Sequence, residues 1–144
     1  MNKPIKNTLE IALAQSNPTV GDLAGNVMKA QAAHAAAAKL GADLVVLSEL
    51  FITGYPPEDL VKKPAFVAAA RAATEALAAS LPADGPGMLV GTVWPEDGKV
   101  YNAAVIADAG KILGVRLKVD LPNYGVFDEK RVFDAGPQIG RAHV

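Results

Sequence analysis

Cysteine is absent from the 144 residues. That excludes disulfides, thiolate metal ligands and a cysteine nucleophile supplied by this chain. Histidine is scarce as well: His34 and His143 are too few and too far apart in sequence to suggest a metal site, and none is expected. Charge of one sign is lacking. With 14 Lys and Arg against 15 Asp and Glu, the net charge is −1, which gives no basis for a nucleic-acid or anionic-membrane partner. No apolar run is long enough to span a bilayer, and Met1–Lys6 is followed by no apolar signal core. The expected location is the cytoplasm. No repeat, low-complexity segment or linker divides the chain. What is present is a globular composition, 51% hydrophobic and 20% charged, long enough for one domain with a real core.

The pattern is α/β. Leu9–Gln15 is predicted as a first buried strand, stopped by Ser16-Asn17-Pro18. Asp22 or Asn26 caps a helix running to about Leu40, alanine-rich and ended by Gly41. His34 lies within it as an ordinary helix residue. Ala42–Leu50 is a second strand, and its continuous Leu44-Val45-Val46-Leu47 indicates cover on both faces. A helix between two such strands makes a βαβ unit with parallel pairing. Phe51–Leu60, rich in aromatics, Gly and Pro, suits a binding loop. Pro57-Glu58-Asp59 looks like a helix start, Pro64 interrupts, and Ala65–Ser80 is a second alanine-rich helix with Arg71 and Glu75 as an i, i+4 pair on its solvent face. Met88–Trp94, Val100–Ala107 and Lys111–Val119 are strands joined by short turns, hence an antiparallel meander completing a mixed sheet.

Two places hold candidate chemistry. Glu49 sits at the carboxyl end of the second strand, where layered α/β folds bind ligands; the plain alternative is a surface glutamate. Arg116–Arg131 is denser. Val115, Leu117 and Val119 alternate with Arg116, Lys118 and Asp120, so Lys118 stands near a strand end. Leu121-Pro122-Asn123-Tyr124-Gly125 breaks the strand, and Phe127-Asp128-Glu129 follows. A lysine, an aromatic loop and a carboxylate make half of an active site.

The segments LSELFITGYPPEDL around Glu49 and LKVDLPNYGVFDEKR around Lys118 resemble the carbon–nitrogen hydrolase (nitrilase) superfamily. Within it they look most like the amino-terminal glutaminase domains of glutamine-dependent NAD synthetases. The opening strand and NPTVGDLAGN fit too, so the resemblance covers nearly all of 9–137. It implies a four-layer αββα sandwich, of which this chain supplies part, and a Glu–Lys–Cys triad. Glu49 would be the general base and Lys118 the group stabilising the tetrahedral oxyanion. Glu129 would be a supporting glutamate, with Tyr55, Tyr124 and Phe127 near the glutamine. Thiol attack on an amide needs a base that later returns its proton to the leaving ammonia, and a fixed positive charge for the oxyanion.

The same resemblance places the cysteine beyond the lysine loop. Residues 1–137 are therefore expected to be the amino-terminal part of a glutaminase domain, with 138–144 a tail of unclear origin and the synthetase domain absent. The implied reaction is glutamine hydrolysis feeding ammonia to the ATP-dependent amidation of deamido-NAD. ATP and magnesium would serve only the synthetase domain, and this chain alone is expected to be inactive. The alternatives are another amidase of the superfamily and a non-catalytic binding or scaffold chain. A homo-oligomer is expected, because a half-sandwich would leave a sheet face carrying Leu13, Val45, Leu47 and Val105 without a partner.

Overall fold

The computed structural model describes residues 6–138. Met1–Ile5 and 139–144, which include His143 and most of the expected tail, lie outside the described residues. The elements run β1 (Ile11–Ala14), α1 (Leu23–Lys39), β2 (Leu44–Leu47), a 3₁₀ turn (Glu58–Lys62), α2 (Pro64–Ala79), β3 (Gly87–Glu96), β4 (Lys99–Asp108), β5 (Lys111–Leu117) and a second 3₁₀ turn (Glu129–Arg131). The strands form one sheet in sequence order, β1-β2-β3-β4-β5. β1–β2–β3 are parallel and β3–β4–β5 antiparallel. The fold is therefore α/β with a mixed sheet, as the sequence pattern predicts.

Local chemistry explains the element ends. Asp22, not Asn26, is the N-cap of α1, accepting from the Gly25 N–H at 2.9 Å. Asn26 is buried instead. It donates to the carbonyls of Thr19 (2.8 Å) and Ile52 (3.0 Å) and accepts from the Thr19 N–H, tying the two loops beside the site together. Pro64 opens α2 at its first turn rather than interrupting a helix, since its missing N–H would have no partner there anyway. β3 runs through Pro95 and Glu96, so the hairpin turn is Asp97-Gly98 alone. Both turn residues have positive φ, and Ala109-Gly110 repeats that geometry between β4 and β5.

Two successive parallel crossovers moving the same way along a sheet place both helices on one face. α1 buries Asn26, Ala30, His34 and Ala37, and α2 buries Val67, Ala70, Thr74, Leu77 and Ala78. They pack on Val45, Leu47, Met88, Val90, Ala103 and Val105. Alanine on the helices permits this close approach. His34 is buried, its Nε2 at 2.8 Å from the Pro86 carbonyl. Arg71 pairs with Glu75 as expected, but it also lies 4.4 Å over the Trp94 ring and donates to the Pro95 carbonyl.

The opposite face carries no helix among the described residues. Register puts Ile11, Leu13, Leu44, Val46, Leu89 and Ile106 there, and Leu13 is 73% exposed. This corrects the expected open-face set. Leu13 belongs to it, whereas Val45, Leu47 and Val105 alternate onto the helix side and are buried.

Candidate active site

Glu49 reaches the site by a crossing. β2 ends at Leu47, and Ser48–Leu50 then passes over β3 at Gly91. A Cβ at Gly91 would stand 2.4 Å from the Leu50 nitrogen and 2.5 Å from the Ser48 oxygen, so only glycine fits. The Ile52 N–H donates to the Gly91 carbonyl at 3.1 Å, and Leu50, Phe51 and Ile52 are fully buried. Glu49 and Lys118 both stand just past strand ends, as expected, but the strands are not neighbours. They follow β2 and β5, which are separated by β3 and β4. The crossing brings the side chains together regardless.

Lys118 leaves β5 with its backbone N–H donating to the Asn102 carbonyl on β4 at 2.8 Å. Its Nζ donates to Glu49 Oε1 at 2.7 Å and to Glu129 Oε1 at 3.0 Å. Asn102 Nδ2 donates to the same Glu49 Oε1 at 2.6 Å. Glu129, on the second 3₁₀ turn, is 5% exposed, and its Oε2 is buried with no hydrogen-bond partner among the described residues. Partial burial disfavours the Lys118 ammonium. The hydrogen bonds and charges of Glu49 and Glu129 outweigh that, and its pKa stands above the ordinary lysine value. The Tyr55 hydroxyl is also pushed up, first by burial and then by the charges of Glu129 and Glu49.

The expected aromatics divide between two clefts. Tyr55 and Phe127 line a cleft of about 420 Å³ together with Glu129. Tyr124 lines another, of about 580 Å³, with Lys118. It meets Phe127 edge-on at 5.6 Å, but it does not share the Tyr55 cleft. Glu49, Asn102 and Lys118 face a third hollow, of about 310 Å³, on the open sheet face. Lys118 lines the second and third of these hollows and is joined to the Tyr55 cleft only through its bond to Glu129. Arg131 ties the aromatic loops together through Glu58 (3.1 Å), Asp128 (2.8 Å) and Asp59.

The structure thus brings Glu49, Lys118 and Glu129 into direct contact. Such an arrangement can take and return a proton and can place a fixed cation beside a developing oxyanion. Asn102 is the residue that sequence reasoning missed. The available signal was a polar side chain inside the apolar run VYNAAVIA, which costs free energy unless it is partnered.

The sequence model for the carbon–nitrogen hydrolase family matches residues 10–143. The glutamine-dependent NAD(+) synthetase of Rhodobacter capsulatus is 50% identical over 127 residues, covering 88% of this chain and 23% of that protein. The solved glutamine-dependent NAD+ synthetase of Acinetobacter baumannii, in complex with ADP, superposes with a TM-score of 0.84 at 40% identity, over 90% of this chain and 24% of that one. An amidase from Nesterenkonia sp. AN1, in a mutant bearing acrylamide at its active-site cysteine, superposes with a TM-score of 0.75 at 30% identity, over 91% of this chain and 51% of the amidase. The chain therefore spans about a quarter of these synthetases and half of the amidase.

Proposed function

Given that the chain belongs to the carbon–nitrogen hydrolase family, we propose that it forms the acid–base and oxyanion half of a glutamine-hydrolysing site serving NAD synthesis. Glu49 is the general base. It takes the proton of a cysteine thiol from outside these 144 residues as sulfur attacks the side-chain amide carbon of glutamine, and it passes that proton to the departing ammonia. Lys118 places its ammonium beside the oxygen that becomes negative in the tetrahedral intermediate. Glu129 holds Lys118 there. Tyr55 and Phe127 give the glutamine apolar walls, with a polar tip from Tyr55, and Tyr124 supports Phe127 edge-on from the neighbouring cleft. Residues up to 137 act as the amino-terminal part of a glutaminase domain in the cytoplasm. The ammonia is consumed by a synthetase part that amidates deamido-NAD with ATP and magnesium; no group of described residues gathers ligands for a metal ion.

The observation that carries this reading is Lys118 Nζ held between Glu49 and Glu129. Stand-alone amidase action is the second reading, supported by the likeness to the Nesterenkonia enzyme. The higher identity and TM-score of the synthetases favour the first.

The test joins these residues to the remaining length of the Rhodobacter capsulatus relative and measures ammonia release from glutamine and from short aliphatic amides. Glutamine is the expected substrate, and Glu49→Gln or Lys118→Ala should each lower kcat/KM by about 10²–10⁴-fold. A preference for simple amides would favour the amidase. Hydrolysis indifferent to both substitutions would contradict the assigned roles.

A further inference from the structure

We propose that Asn102 is a positioning residue that decides which oxygen of Glu49 handles the proton. It occupies Oε1, so that the proton is taken up and released at Oε2.

The Glu49 side chain is nearly half exposed and stands on an irregular crossing rather than in a strand. An unrestrained glutamate there would sample several rotamers. Two donors converge on its Oε1: Asn102 Nδ2 at 2.6 Å and Lys118 Nζ at 2.7 Å. A carboxylate oxygen offers two lone-pair sites, and these two donors take both. The oxygen left for a proton is Oε2.

The two donors are unequal as anchors. Lys118 stands on a flexible four-carbon stem just past its strand, and its ammonium is shared with Glu129. Asn102 has a short side chain in the interior of β4, is 3% exposed, and lies opposite Val93 of β3 in register. Its backbone carbonyl also receives the Lys118 N–H. One residue therefore fixes Glu49 through its amide and the start of the lysine segment through its main chain. A buried amide in an apolar strand is costly unless used, and a short bond to a carboxylate is a strong use of it. The inference rests on the proposed function for what Glu49 does, but not for how Glu49 is held.

Solid-state NMR on the 144-residue chain, labelled at the glutamate carboxyls and lysine Nζ, tests it whether the protein is monomeric or assembled. In the unsubstituted chain the Glu49 carboxyl should give one narrow line strongly coupled to Lys118 Nζ. Asn102→Leu keeps the volume and removes the donor; the line should broaden or split, and the coupling should fall at least about twofold as the carboxylate begins to move. An unchanged line and coupling would overturn the proposal. Because a substitution in β4 can disturb the sheet, Glu49→Ala provides a second reading at a half-exposed position. The Asn102 side-chain amide protons should move upfield and exchange about tenfold faster once the acceptor is gone. An unmoved amide would overturn the proposal equally. Neither readout uses the reaction, so failure of the joined protein to hydrolyse glutamine would count against the proposed function alone.

Discussion

Lys118 holds its proton more tightly in the folded chain than in the unfolded one, because Glu49 and Glu129 both bond its ammonium. A group whose folded pKa is raised contributes stability below its unfolded pKa and loses it as pH rises through the folded value. The contribution should therefore be constant from neutral pH to about pH 10 and fade above the ordinary lysine value of 10.5. Thermal melts of the chain and of Lys118→Met between pH 7 and 11 check this: the unsubstituted chain should melt higher at neutral pH, and the gap should close on the alkaline side. At this scale the ionisable half of the site was legible. Glu49 and Lys118 were candidates by type and by their place after apolar strands, with a surface glutamate left open for Glu49, while Glu129 and the roles of all three came from the family resemblance. Asn102 did not, because a neutral amide gains meaning only once the register of β4 shows which face it points from. Tyr124 carried the right aromatic signal, but whether it shared the Tyr55 cleft depended on the path of the 122–127 loop, which residue type does not determine.

The crossing of Ser48–Leu50 over Gly91 is the element on which the site depends. Gly91→Ala would push a methyl group into backbone, which cannot move aside as a flexible side chain can. We expect a loss of about 1–3 kcal/mol in urea unfolding, together with loss of the Glu49–Lys118 contact in a structure of the variant. Full retention of both would show that the crossing has slack. The strands, hairpins and helices were readable from periodicity and turn residues, and the antiparallel meander followed from its short connections. The crossing was not readable. Gly91 inside a strand marks only some close backbone approach, and the approaching partner lies some forty residues earlier in the chain. Pro64 shows the same limit. The residue that looked like an interruption is the first residue of α2, because the chain turns into the helix at that point.

For the whole molecule, the determining feature is a sheet covered by helices on one face and carrying Ile11, Leu13 and Ile106 exposed on the other. Each 100 Å² of such surface removed from water contributes about 2.5 kcal/mol, so the 144-residue chain should self-associate through this face. Light scattering should report dimers or larger species, and Leu13→Lys with Ile106→Lys should shift them toward monomer; a monodisperse monomer of the unsubstituted chain would contradict this. That one face lacked cover was legible from the small number of helices. Which residues line it was not, because alternation assigns faces only after the strands are paired. The central claim is that Glu49 and Lys118 serve a thiol which this chain does not contain. Ammonia release from glutamine by the purified 144-residue chain tests it most directly. The account predicts no release above that of a Lys118→Ala control. Release that exceeds the control would show that water or a hydroxyl is the nucleophile, and the cysteine mechanism would fall.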